Sequence, residues 1–125
     1  MANLYACWIG VLLGILAGAV QGLFFHREDW LGGYASWPRR MVRLGHISFF
    51  GLAFINLAFV VTVRMLEGPG WSALPSVLLI IGAATMPLCC YLSAWRPALR
   101  HLFPVPVLST ASGVAFTLFS WVLQR

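Results

Sequence analysis

Four stretches of about 20 apolar residues, at 4–25, 44–63, 73–94 and 104–123, carry no Asp, Glu, Lys or Arg. A helix needs about 20 such residues to cross the hydrocarbon layer of a bilayer. The chain is 61% hydrophobic and only 9% charged, against about a quarter charged in an ordinary soluble domain. These patterns predict a single all-α membrane domain over residues 1–125, an antiparallel bundle of four transmembrane helices with both termini on one side.

Arginine placement orients that bundle. The net charge of +5 comes from eight arginines and no lysine. Arg27, Arg39, Arg40, Arg43, Arg96 and Arg100 flank the first and third loops, whereas Arg64 and Arg125 lie on the opposite side. Six against two predicts cytoplasmic first and third loops, with both termini outside a cell inner (plasma) membrane. Trp30, Trp37 and Trp95 at one level and Trp8, Trp71 and Trp121 at the other read as two interfacial belts. With the arginines assigned to topology and to headgroups, no basic patch is left for nucleic acid. The first segment lacks a positive n-region and is too long for a signal-peptide core, so it is expected to remain in the mature protein.

Within the first span Gly10, Gly14, Gly18 and Gly22 recur every fourth residue, and His26 takes the next step. A row of small residues lets a second membrane helix approach closely. Four residues advance a helix by about 400°, so the row drifts about 40° per step and His26 lies about 160° round from Gly10. The expected result is a curving packing seam. Ser109, Gly113 and Thr117 on the fourth span offer a complement to it. Asn56 is expected about 15 Å beyond His46, near the bilayer centre, as a polar residue that sets helix register. Gln21 reads in the same way. Pro87 is expected to kink the third span and free the carbonyl of Ala83, with the Thr85 hydroxyl as one acceptable partner. The segment Glu67-Gly68-Pro69-Gly70 reads as a short turn.

His46, His26 and His101 are the candidate cofactor-binding residues. All three are expected near the arginine-rich face, with His46 about one turn inside the membrane. Imidazoles from different helices can hold haem iron or another metal, or meet a quinone. Cys89 and Cys90 point about 100° apart on a helix and read as inert packing residues, as does Cys7. Glu28, Asp29 and Glu67 all lie in loops, so no span supplies a carboxylate for acid–base work. Autonomous catalysis is not expected.

These features favour a small non-catalytic subunit of a larger membrane complex, with an electron-transfer, energy-transducing assembly as the first choice. Its partners would be the lipid bilayer and larger membrane-protein subunits. A haem-b or metal-binding electron carrier using His46 with His26 or His101 is the second reading. A small oligomeric channel or transporter is the third.

Overall fold

A computed structural model describes residues 2–65 and 73–123. It contains α1 (Ala2–Phe24), α2 (Trp37–Met65), α3 (Ala73–Trp95) and α4 (Pro104–Leu123), and no strand among the described residues. Short 3-10 helices, Trp30–Gly32 and Pro97–Leu102, precede α2 and α4. All four long helices are apolar enough to span a membrane, the fourth counted together with its preceding 3-10 turns. The turn expected at Glu67-Gly68-Pro69-Gly70, together with Trp71 and Arg125, lies outside the described residues.

Helix α2 packs on α1 and α3, and α3 packs on α4. The neighbours follow from where side chains are missing. A Cβ placed on Gly10 would lie 3.2 Å from Ala53, one on Gly14 would lie 2.8 Å from the Phe50 ring, and one on Gly18 would lie 2.6 Å from His46 Nε2. Gly22 has nothing within 4 Å. The ladder thus works as three rungs against α2, and its last member faces open space.

Ser109 and Gly113 do not complement that ladder. They face α3, where a Cβ on Gly113 would lie 2.9 Å from Leu79, and Gly82 is packed against Thr110 and Ser109. A second close approach went unread in the sequence. A Cβ on Gly45 would lie 3.0 Å from the Tyr91 ring and 3.2 Å from Cys90.

Helix α2 begins two turns earlier than the second apolar stretch. The N–H of Arg39 donates to Ser36 Oγ at 3.3 Å, so Ser36 caps the helix, and Pro38 sits in the first turn. Both residues suit a helix start. The physical reason for the early start is this cap, which does not depend on hydropathy. The consequence is a 29-residue helix that carries Arg39, Arg40 and Arg43 in its first two turns.

Helix α3 runs through the buried Pro87 without a break. Thr85 Oγ1 donates to the carbonyl of Ile81 at 2.7 Å, so it does not take up the carbonyl of Ala83. Cys7, Cys89 and Cys90 are free thiols, all buried.

Candidate functional site

Polar groups tie α1, α2 and α3 together at one end of the bundle. Asn3 Nδ2 donates to Asn56 Oδ1 at 2.8 Å and to the Ser76 carbonyl at 3.3 Å, while Ser76 Oγ donates to Asn3 Oδ1. Asn56 Nδ2 donates to the Leu52 carbonyl at 2.9 Å. Asn3 and Asn56 are both buried, and an unsatisfied amide in such surroundings would be costly. Asn56 therefore stands level with the first turn of α1, not at mid-helix. From Trp37 it is about 28 Å along α2 and from Met65 about 13 Å, at 1.5 Å per residue.

A second polar clasp joins α1 to α3 at the other end. Gln21 Nε2 donates to the Tyr91 hydroxyl at 3.2 Å. Among the described residues that hydroxyl has no acceptor for its own hydrogen, and Gln21 Oε1 has no donor. The two clasps are eighteen residues apart on α1, about 27 Å. Between them α1 and α3 stand apart over α2, leaving an apolar groove.

The groove has two neighbouring halves, both lined by Leu13 and Phe49. One half, of about 380 Å³, is floored and walled by small residues, among them Ala6, Gly10, Ala53, Ala83 and Ala84. The other, of about 500 Å³, is lined by the rings of Trp30, Phe49 and Tyr91 together with Gln21 and Leu31. No charged side chain lines either half.

Trp30 and Leu31 reach the groove because Arg39 organises the loop beneath them. Its guanidinium is buried and donates to the carbonyls of Phe25, Arg27 and Glu28 at 3.1–3.3 Å. It also lies 5.2–5.5 Å from the ring centres of Phe25, Trp30 and Tyr34. Five donors in a rigid fork let one arginine collect several carbonyls at once. Arg39 is therefore an internal brace of the loop, not a side chain snorkelling to headgroups. Arg27 and Asp29 remain exposed, 3.9 Å apart. Trp37 Nε1 donates to the Ser93 carbonyl at 2.9 Å and ties the start of α2 to the end of α3.

Leu31 itself has φ 54° and ψ 31°. The left-handed region costs a non-glycine residue about 1–3 kcal/mol. Gly32 and Gly33, also at positive φ, take the rest of the turn without that cost. The Gly32 N–H donates to the Asp29 carbonyl at 3.0 Å, and Ser36 Oγ donates to the Leu31 carbonyl at 2.6 Å. These bonds hold the leucine in its strained conformation.

The three histidines are placed differently from one another. His46 is half-buried, packed at Gly18 and edge-on to Phe50 with ring centres 5.4 Å apart. Because α2 starts at Trp37, His46 lies in its third turn. His26, in a turn after α1, and His101, in the 3-10 helix before α4, are exposed. Among the described residues no group of three or more His, Cys, Asp or Glu side chains converges as a metal site. The histidines thus do not come together as one ligand set.

Sequence reasoning missed Asn3, Arg39, Tyr91 and Leu31. Asn3 stood just outside the apolar stretch, and Arg39 was absorbed into the count of topological charges. The signal available for Arg39 was Ser36 with Pro38, which marks a helix start three residues before it. No protein-family model, curated protein or solved structure matches the chain.

Proposed function

We propose that this protein is a small non-catalytic integral subunit of a larger membrane complex, an electron-transfer and energy-transducing assembly. The carrying observation is that α4 has two packing faces. Pro106, Ser109 and Gly113 are buried on the α3 side. The outer side bears a shallow apolar concavity of about 540 Å³ formed by Ser112, Ala115, Phe116 and Phe119. Small residues flanked by rings on a membrane helix suit the approach of another helix, since close packing rather than hydrophobicity drives association in lipid.

On this reading the bundle is antiparallel. The pairing of Gly10 with Ala53, Gly14 with Phe50 and Gly18 with His46 supports it for α1 and α2, because residue numbers rise on one helix as they fall on the other. The chain sits in a cell inner membrane with both termini outside and the loop braced by Arg39 on the cytoplasmic side, in line with the positive-inside rule.

Extraction in mild detergent, through an affinity tag on the full chain, tests the proposal. Larger membrane proteins are expected to co-purify, and Ala115→Trp on the outer face of α4 is expected to release them. A folded wild-type monomer without partners would overturn it.

A further inference from the structure

We propose that Arg43, with Arg39 and Tyr34 beside it, holds the phosphate of an anionic phospholipid headgroup where α2 enters the membrane. This site is separate from the α1–α3 groove and independent of any partner subunit.

Two neighbouring cations here lack a counter-charge. The guanidinium carbons of Arg39 and Arg43 lie 5.5 and 4.5 Å from the centre of the Tyr34 ring. They are at most about 10 Å apart, close to the screening length of roughly 8 Å in physiological salt. Among the described residues neither makes an ion pair, and Asp29 stands beside Arg27 instead. The exposed Arg40 adds a third positive charge, and α2 has no acidic residue in its first turn. The positive end of the helix dipole acts in the same sense.

The same two side chains carry spare donors. Arg39 commits Nη1 and Nη2 to loop carbonyls, but its buried Nε has no partner. Arg43 Nη1 is likewise enclosed without a partner. Arg43 makes no hydrogen bond among the described residues, and its Nε and Nη2 are not enclosed. Those two N–H groups form one edge of the guanidinium, which takes two phosphate oxygens in parallel bonds. Arg39, fixed in the loop, supplies charge behind them.

Depth favours a lipid as the source of the phosphate. Arg43 immediately precedes the apolar stretch 44–63. Helix α2 has 29 residues and is about 43 Å long, against about 30 Å of hydrocarbon. Its first two turns therefore extend into the headgroup layer, where phosphodiesters lie.

There is also room. Gly18 meets His46, whereas a Cβ on Gly22, one turn further along α1, would meet nothing within 4 Å. Arg43 is one turn before His46, so Gly22 and Arg43 stand level on the antiparallel register. The Tyr34 ring is exposed, and one of its faces is taken by Arg43. With no carboxylate paired to the arginines, the ammonium of a zwitterionic headgroup finds no counter-charge. A headgroup of net negative charge suits the site.

The test is native mass spectrometry of the full-length protein, released from mild detergent containing equal amounts of dioleoyl phosphatidylglycerol and dioleoyl phosphatidylcholine. One phosphatidylglycerol per chain is expected to be retained in preference to phosphatidylcholine. Arg43→Gln is expected to lower that retention about tenfold, through loss of hydrogen bonds to a charged group. Arg40→Gln removes the same charge from an exposed neighbour and is expected to leave retention unchanged. Arg43→Lys keeps the charge without the two-donor edge and is expected to fall between wild type and Arg43→Gln. Should Arg43→Gln fail to fold, Arg43→Lys against Arg40→Lys makes the comparison, with loss expected only in the first.

Equal retention of the two lipids would overturn the proposal. So would equal loss on substituting Arg40 and Arg43, which would reduce the effect to general surface charge. Displacement of the lipid by millimolar inorganic phosphate would assign the site to a free anion and overturn the lipid source.

Discussion

Asn3 in the first turn of α1 donates to Asn56 on α2 at 2.8 Å, and the two buried amides meet across fifty-three residues of sequence. Ser76 completes the contact from α3. This one junction fixes the relative heights of three helices whose remaining contacts are largely apolar and tolerant of sliding. A second junction, Gln21 with Tyr91, repeats the device at the other end. The groove lies between these two junctions, with Ala6, Gly10, Ala53, Ala83 and Ala84 leaving room in one half.

Asn3→Ala and Asn56→Ala are expected to be strongly non-additive. Each leaves a buried partner unsatisfied, at about 1–3 kcal/mol. The coupling energy in a double-mutant cycle should be about 0.6 kcal/mol, the average for polar pairs in a membrane protein, and no more than the maximum of about 1.7 kcal/mol. Unfolding in mixed micelles measures it, and zero coupling would show that the pair does not hold the helices.

The glycine ladder is expected to be unequal. Gly14→Leu and Gly18→Leu drive a side chain into Phe50 and His46 and should destabilise the bundle. Gly22→Ala meets nothing within 4 Å and should be neutral or stabilising by up to about 1 kcal/mol, the helix-propensity gain over glycine. Combining Gly18→Ala with His46→Ala should recover any loss caused by Gly18→Ala alone. Thermal unfolding of the purified variants distinguishes these outcomes.

Arg39→Lys should loosen the loop between α1 and α2, because an ammonium cannot span three carbonyls in the fork that guanidinium provides. Hydrogen exchange over residues 25–36 is the measurement, with faster exchange expected. Arg40 is exposed on the same turn, and Arg40→Lys should leave the exchange pattern unchanged.

Orientation can be read from labelling. Cys7, Cys89 and Cys90 are buried and should react slowly with a membrane-impermeant maleimide in intact cells. A cysteine at the exposed Tyr34 should be labelled only after the cytoplasmic side is opened, and one at Ala2 should be labelled from outside. The reverse pattern would invert the assigned topology.

The four helices were legible in the sequence because crossing a bilayer is a local demand. Each segment must be long, apolar and free of charge, and each of those properties is written within about 20 consecutive residues. The start of α2 was also written locally, in Ser36 and Pro38, but a hydropathy boundary conceals a cap. That shift moved His46 from the first turn to the third and Asn56 away from mid-helix.

Only the tertiary structure decided which residues meet. A glycine row announces that something packs closely without saying which helix, or which rungs are used, and here α2 takes three and leaves Gly22 open. An asparagine in an apolar run announces a partner without naming it. Arg39 looked like one charge in a count, and its burial under the loop depends on carbonyls from three other residues. The clasps and the groove belong to no single segment. They arise where α1, α2, α3 and the braced loop come together, and pairings between distant segments are set by packing geometry, not by local hydropathy.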